Sequence, residues 1–177
     1  RHMNYLWLLL AISFVTTPAF AHRNNTLAWE NSGCQDLLSP SPRFSRRSFA
    51  GLLSLDTGSE LFVRIEQPLI RTKSWFLLVH GLMDSHRAYD QVTHNLIKAG
   101  HGVVRVDLKG FGLSLAREIH LAEKSGGSFH PLPYTDYMDH VRDLKSLLVR
   151  LEHEFQIRTP HLVGHSMGGG LVMALLA

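Results

Sequence analysis

Cysteine and metal-site motifs are scarce in this sequence. Cys34 is its single cysteine, and one thiol cannot close a disulfide within the chain. None of the twelve histidines falls in a His-Glu-x-x-His or Cys-x-x-Cys frame, so no common metal-binding motif is present. Lys and Arg are scattered apart from Arg43, Arg46 and Arg47, and no basic stripe alternates with aromatic residues. The sequence therefore predicts no disulfide framework and no nucleic-acid partner.

What remains is an ordinary globular composition. The chain has 177 residues, of which 45% are hydrophobic and 19% charged, with a formal net charge of +3. This balance excludes wholesale disorder, and the length is enough for one domain with its own core.

The N-terminal residues resemble a targeting segment. From Met3, an apolar run over residues 5–15 is followed by a polar stretch and the small-x-small pattern Ala19-Phe20-Ala21. The run is too short to cross a bilayer comfortably. A signal peptide usually has a positive charge before its apolar run, and no Lys or Arg lies between Met3 and the start of this one. Residues 1–21 are therefore predicted to be a signal peptide cleaved after Ala21, giving a secreted or periplasmic protein. An uncleaved membrane anchor is the alternative.

The next segments are predicted to be an arm and a hairpin. Residues 22–48 are polar and rich in Pro, Ser and Arg, which indicates an extended N-terminal arm. Order is expected to begin near Phe49, with two strands joined at Asp56-Thr57-Gly58.

From Trp75 onward the pattern alternates between strands and helices. Residues 75–81, 102–107 and 161–166 are apolar runs of the length expected for buried strands. The loop "LKGFGLS" follows the second run and lacks the Gly-x-Gly-x-x-Gly frame of a dinucleotide site. This order predicts an α/β fold with a parallel sheet and right-handed crossovers.

Two helices are predicted between these strands. The first carries an apolar face and ends at Gly100, where a helix C-terminus favours glycine. The second is capped by Asp136 and stopped by Pro160. The predicted apolar faces are Tyr89, Val92, Leu96 and Ala99 in the first helix, and Tyr137, Val141, Leu144, Leu148, Leu151 and Phe155 in the second.

A Gly-x-Ser-x-Gly motif, Gly164 to Gly168, lies where the last strand passes into a helix. In that context the turn presents the hydroxyl of Ser166 above the sheet edge as a nucleophile. The alternative is a glycine-rich turn with an incidental serine. Two backbone N–H groups are expected to form an oxyanion hole, that of Met167 and that of Leu82 in the loop after residues 75–81.

The stretches "FLLVHGLMDSHRAYD", "GVVRVDLKGFGLS" and "HLVGHSMGGGL" together resemble the α/β-hydrolase family. The most similar subgroup is the monoacylglycerol lipase, lysophospholipase and serine aminopeptidase (S33)-like group, and the resemblance covers residues 49–177. It implies an α/β-hydrolase fold, Ser166 as nucleophile, and oxyanion donors at Leu82 and Met167. It implies no cofactor and no metal. It also implies a structural role for four residues of the loop after the second buried strand: Asp107, Gly110, Gly112 and Ser114.

The partners of the serine are expected outside this chain. In this fold an Asp or Glu and then a His follow the nucleophile along the sequence, and neither type occurs in residues 167–177. His165 diverges from Ser166 at the elbow, and His80 is predicted to be a structural residue bonded to the loop backbone. Seven further histidines fall in predicted loops or helices and are expected to be solvated: His86, His101, His120, His130, His140, His153 and His161. We therefore expect an N-terminal half of a hydrolase, truncated after the helix that follows the elbow.

The predicted function is a serine hydrolase acting on a small-molecule acyl ester or lipid through an acyl-enzyme. Lysophospholipids, monoacylglycerols and similar esters are the expected substrates, with membrane-surface contact through the substrate. The alternatives are an amide or peptide hydrolase, an acyltransferase of the same fold, or an inert fragment.

Overall fold

A computed structural model describes residues 48–127 and 136–177, together with the backbone of residues 43–45. The described strands are β1 (Arg43–Ser45), β2 (Ser48–Ser54), β3 (Glu60–Glu66), β4 (Trp75–Val79), β5 (Gly102–Val106) and β6 (His161–Gly164). The helices are α1 (Asp90–Lys98), α2 (Gly112–Lys124), α3 (Tyr137–Phe155) and α4 (Met167–Leu176), with a short 3-10 helix at His86–Tyr89. The predicted signal peptide and most of the predicted arm lie outside the described residues.

Within the described residues the strands form one mixed sheet in the order β1-β2-β3-β5-β4-β6. Strands β5, β4 and β6 are parallel, which confirms the predicted α/β arrangement. Strands β1 to β3 add to β5 as an antiparallel extension, so the sheet begins inside the segment assigned to the arm. The hairpin between β2 and β3 is confirmed, and Gly58 takes a φ of 85° at its turn.

The core lies on both faces of the central strands. Leu77, Val79, Val104 and Val106 belong to the larger apolar cluster, which α3 and α4 cover. Leu78 and Val103 pack with α1 on the opposite side. Continuous apolar strands are typical of a parallel sheet covered on both faces. Of the helices in the described part of the chain, none has the length and apolar character needed to cross a membrane.

Strand β6 is less buried than its sequence predicts. Its residues alternate between exposed and half-buried because β4 is its neighbour on one side and it lies at the end of the described sheet. An end strand presents unpaired backbone groups along its free side.

Helix α2 differs from the prediction, because the sequence pattern assigns its first residues to the loop after β5. Its sequence is rich in good helix formers. However, it starts at Gly112 with a positive φ of 53° after Phe111, whose side chain makes no capping bond. The usual Ser, Thr or Asp start signal is therefore absent.

Helix α3 begins as predicted, because the Asp136 side chain accepts a hydrogen bond from the Met138 N–H at 3.3 Å. It ends at Phe155, before the predicted stop at Pro160. Gln156 adopts the left-handed conformation there, with a φ of 57°, and a left-handed residue ends a helix as a glycine does.

The apolar face of α1 is displaced from the predicted one. Thr93 is buried, whereas Val92 and Ala99 are exposed. The helix starts at Asp90, directly after Tyr89, and Leu96 and Ile97 pack against the sheet.

The loop after β5 is organised by Asp107, which has no exposed surface. Its carboxylate accepts hydrogen bonds from the Leu113 N–H at 2.8 Å and from the backbone N–H of His86. Its carbonyl accepts one from the Ser114 hydroxyl at 2.7 Å, and Ser114 in turn accepts from the Phe62 N–H at 2.8 Å. These bonds join β3, the short helix that starts at His86 and the loop after β5. This is the structural role predicted for Asp107 and Ser114.

We predict that Gly112→Ala destabilises the protein more than Gly110→Ala. Both glycines have positive φ, so either methyl incurs backbone strain of about 1–2 kcal/mol. A methyl at Gly112 would also overlap the Asp107 carboxylate, whereas one at Gly110 meets open space. Overpacking adds about 1–3 kcal/mol to the loss at Gly112. Urea unfolding of the two variants measures this difference, and equal losses would contradict it.

Candidate active site

Ser166 occupies a strained turn between β6 and α4. Its φ of 52° and ψ of −121° are unusual for a residue with a side chain. Such a conformation costs about 1–3 kcal/mol and persists only where the surrounding structure enforces it. The side chain is exposed and makes no capping bond to the helix. A serine in this geometry at the carboxyl end of a parallel strand matches a nucleophile elbow.

Glycines allow the close packing behind this turn. A Cβ at Gly168 would overlap the carbonyl oxygen of Val79 and meet that of His80. A Cβ at Gly164 would overlap the backbone of Gly168. By contrast, a Cβ at Gly169 would approach backbone atoms only to 3.4 Å. Glycine is therefore required at the two flanking positions of the motif, where the first turn of α4 meets the ends of β4 and β6.

The structure brings the loop after β4 against the elbow. A Cβ built on buried Gly81 would lie 3.2 Å from the Ser166 Cβ and 3.2 Å from the His165 Nδ1. Leu82 follows directly. The Met167 N–H is the first of α4, and the first four N–H groups of a helix have no acceptor within it. Both predicted oxyanion donors therefore belong to segments that border Ser166.

His80 is a structural residue, as predicted. Its side chain has no exposed surface. The ring Nδ1 is bonded to the Gly81 carbonyl at 2.7 Å, and Nε2 lies 3.0 Å from the Leu108 N–H. Because the carbonyl can only accept and the amide can only donate, the ring is neutral and carries its proton on Nδ1. Burial lowers the pKa of His80, and the nearby charges of Asp107 and Asp84 offset this only in part.

Two histidines expected to be solvated are buried instead. His86 is held by Asp107, with its Nδ1 at 2.9 Å from one carboxylate oxygen and 3.0 Å from the other. His140 is buried on α3 beside Phe111, and burial lowers its pKa. The sequence contained no signal for this, because both contacts join distant segments. His130 lies outside the described residues.

The elbow is bordered by exposed apolar side chains. Leu82 is 48% exposed and Met83 89% exposed. Met83 also has a positive φ of 56°, so the loop after β4 and the elbow each contain a non-glycine residue in the left-handed region. Isolated exposed apolar residues are common on proteins. Here two adjacent ones come directly after Gly81, which lies against Ser166.

The sheet order, the crossovers and the elbow together define an α/β hydrolase. Residues 71–177 match the family described as serine aminopeptidase, S33. This chain belongs to that family.

Individual relatives agree with this assignment. A serine hydrolase-like protein of Dictyostelium discoideum is 27% identical over an alignment of 133 positions, which covers 70% of this chain and 33% of that protein. A thermostable carboxyl esterase from Bacillus coagulans superposes with a TM-score of 0.58 at 20% identity, over 74% of this chain and 40% of the esterase. An alpha-beta serine hydrolase homologue from Coxiella burnetii gives 0.52 at 18% identity, over 75% and 59%. The chain thus spans between a third and three fifths of these relatives' lengths.

We predict that His80 makes the folded protein less stable as the pH is lowered. Its folded-state pKa is lowered, so its contribution is complete above the unfolded value near 6.5 and is lost as pH falls from there through the folded-state value. In urea unfolding between pH 7.5 and 5, His80→Gln should show a shallower decline than wild type. His140→Gln, assayed beside it, separates the contribution of the second buried histidine. Identical slopes for wild type and His80→Gln would contradict the prediction.

Proposed function

We propose that the protein is a serine hydrolase that cleaves carboxylesters through an acyl-enzyme formed on Ser166. The observation that supports this most strongly is the strained, exposed conformation of Ser166 directly against the Gly81–Leu82 loop. A strained non-glycine residue with no capping bond is difficult to explain as a mere helix start. It is the arrangement required to present an oxygen to a substrate.

In this proposal the Ser166 oxygen attacks the ester carbonyl carbon as a base removes its proton. The carbonyl oxygen becomes an oxyanion, which the N–H groups of Leu82 and Met167 stabilise; one such donor is typically worth about 2.7–4 kcal/mol. The alcohol then leaves with a proton, and water releases the acid in a second addition and elimination. The base and its carboxylate would come from the part of the hydrolase fold beyond Ser166 in the chain order of this fold.

The exposed apolar side chains support an ester with an acyl chain as substrate. Leu82 and Met83 supply apolar surface next to the proposed oxyanion site, and burying an aliphatic side chain contributes about 1.5–3 kcal/mol. We therefore favour lysophospholipids, monoacylglycerols or similar acyl esters, with the protein meeting a membrane surface through such a substrate.

Amide hydrolysis is the second candidate, because the matched family is described as serine aminopeptidase. The same nucleophile and oxyanion donors would serve it, with an amine as leaving group. An acyltransferase would differ only in the acceptor that takes the acyl group from Ser166.

We predict that Ser166→Ala in the full-length protein abolishes turnover of p-nitrophenyl acyl esters. Loss of a catalytic serine lowers kcat by about a million-fold in a well-studied protease. Ser125→Ala is a matched control, because Ser125 is an exposed residue at the end of α2 and should keep wild-type rates. Comparing p-nitrophenyl esters with aminoacyl p-nitroanilides separates the two candidate activities. Undiminished ester turnover in Ser166→Ala would overturn the proposal.

The same serine allows a test of the 177-residue chain itself. We place the general base later in the chain order of this fold than these 177 residues, so a fluorophosphonate probe should label them far more slowly than the full-length protein. Equal, saturable labelling of both would show that the chain already contains the base.

We also propose that the protein is exported and processed after Ala21, on the basis of the apolar run and small-x-small pattern of residues 3–21. Mass spectrometry of the mature N-terminus should then find a peptide that starts at His22. A chain that retains residues 3–21 in the membrane fraction would instead indicate an uncleaved anchor.

A further inference from the structure

We propose that Tyr89 is a positioning residue, whose hydroxyl fixes the oxyanion loop relative to the nucleophile elbow. This inference rests on the proposed function of Ser166 and extends it to a residue with no direct contact with substrate.

The Tyr89 hydroxyl lies where the two catalytic segments meet. It donates a hydrogen bond to the Val79 carbonyl at 2.8 Å, at the last residue of β4. The same carbonyl accepts a bond from the His165 N–H at 3.2 Å. The Tyr89 hydroxyl and the N–H of His165, the residue immediately before Ser166, therefore share one acceptor at the end of the strand that leads to the Gly81–Leu82 loop.

Tyr89 is itself held firmly. Its ring is 8% exposed and packs against Leu78 and Val103 in the core beneath α1. It is the last residue of the 3-10 helix that begins at His86. Asp107 anchors that helix through the backbone and ring nitrogens of His86. The hydroxyl is therefore supported by a rigid part of the fold, and it can hold the elbow in place.

The hydroxyl remains a donor at any working pH. Burial raises the pKa of Tyr89 to about 12, although the interaction with the His165 backbone acts in the opposite direction. A neutral phenol donates to the Val79 carbonyl, whereas a phenolate could not donate at all.

This linkage matters because the elbow is strained. The conformation of Ser166 needs enforcement from its neighbours, and misplacing reacting atoms by about 1 Å can slow catalysis on the order of a hundred-fold. Val79 is followed by His80, Gly81 and Leu82, so a shift of β4 would carry the Leu82 N–H with it. Loss of the hydroxyl should therefore impair the chemical step and leave substrate binding largely intact.

The test is Tyr89→Phe in the full-length protein, assayed with p-nitrophenyl esters and normalised by titration of active sites. We expect kcat to fall about tenfold, the order of effect of one net hydrogen bond, with KM changed less than about twofold. The rate of labelling by saturating fluorophosphonate should fall in parallel. Tyr137→Phe is the matched control, because Tyr137 is the other tyrosine among the described residues and its hydroxyl lies against Gly170 of α4; kcat should be unchanged.

A purely structural role would give a different result. It would lower the melting temperature and the fraction of titratable sites, with kcat per site unchanged, and this outcome would overturn the inference. Replacing Tyr89 by 4-aminophenylalanine restores a donor on the same ring, so it should recover most of kcat; no recovery would also count against the inference. If Ser166→Ala keeps its turnover, the proposed function fails, whatever Tyr89→Phe shows.

Discussion

The site depends on one close approach, between the first turn of α4 and the carboxyl end of β4. Gly168 packs so tightly on the carbonyls of Val79 and His80 that no side chain fits between them. Because α4 begins immediately against the sheet, the chain must leave β6 and enter the helix within two residues. Ser166 absorbs that change of direction in its positive φ. The exposure of the serine is thus a consequence of how helix and sheet pack.

Buried polar contacts fix the loops that surround the contact between α4 and β4. His80 ties the loop after β4 to the Leu108 amide. Asp107 ties the 3-10 helix to the start of α2. Each of these two side chains has at least one backbone partner in another segment, and buried polar groups that lose such partners cost about 1–3 kcal/mol. Arrangements of this kind fix loop positions more specifically than apolar contacts do.

Local pattern predicted much of this architecture. The apolar runs of β4 and β5, the turn at Gly58 and the cap at Asp136 follow from residues close in sequence, and the structure confirms them. The glycine motif also predicted the turn at Ser166, because its demand on backbone conformation is local.

The failures concern features decided by distant contacts. Helix α2 lacks the usual start signal because the Asp107 carboxylate, six residues before Leu113, accepts the Leu113 N–H in place of a capping side chain at Phe111. The burial of His86 and His140 depends on partners that periodicity does not show. The Tyr89 hydroxyl and the His165 N–H meet at the Val79 carbonyl from two other segments, so only the folded chain reveals this contact.

The most direct test of this account is the backbone conformation of Ser166 in a high-resolution crystal structure of the full-length protein. The account predicts a φ near 52°, with the side-chain oxygen on the side of the Gly81–Leu82 loop. An ordinary negative φ, with that oxygen capping the N-terminus of α4, would contradict it.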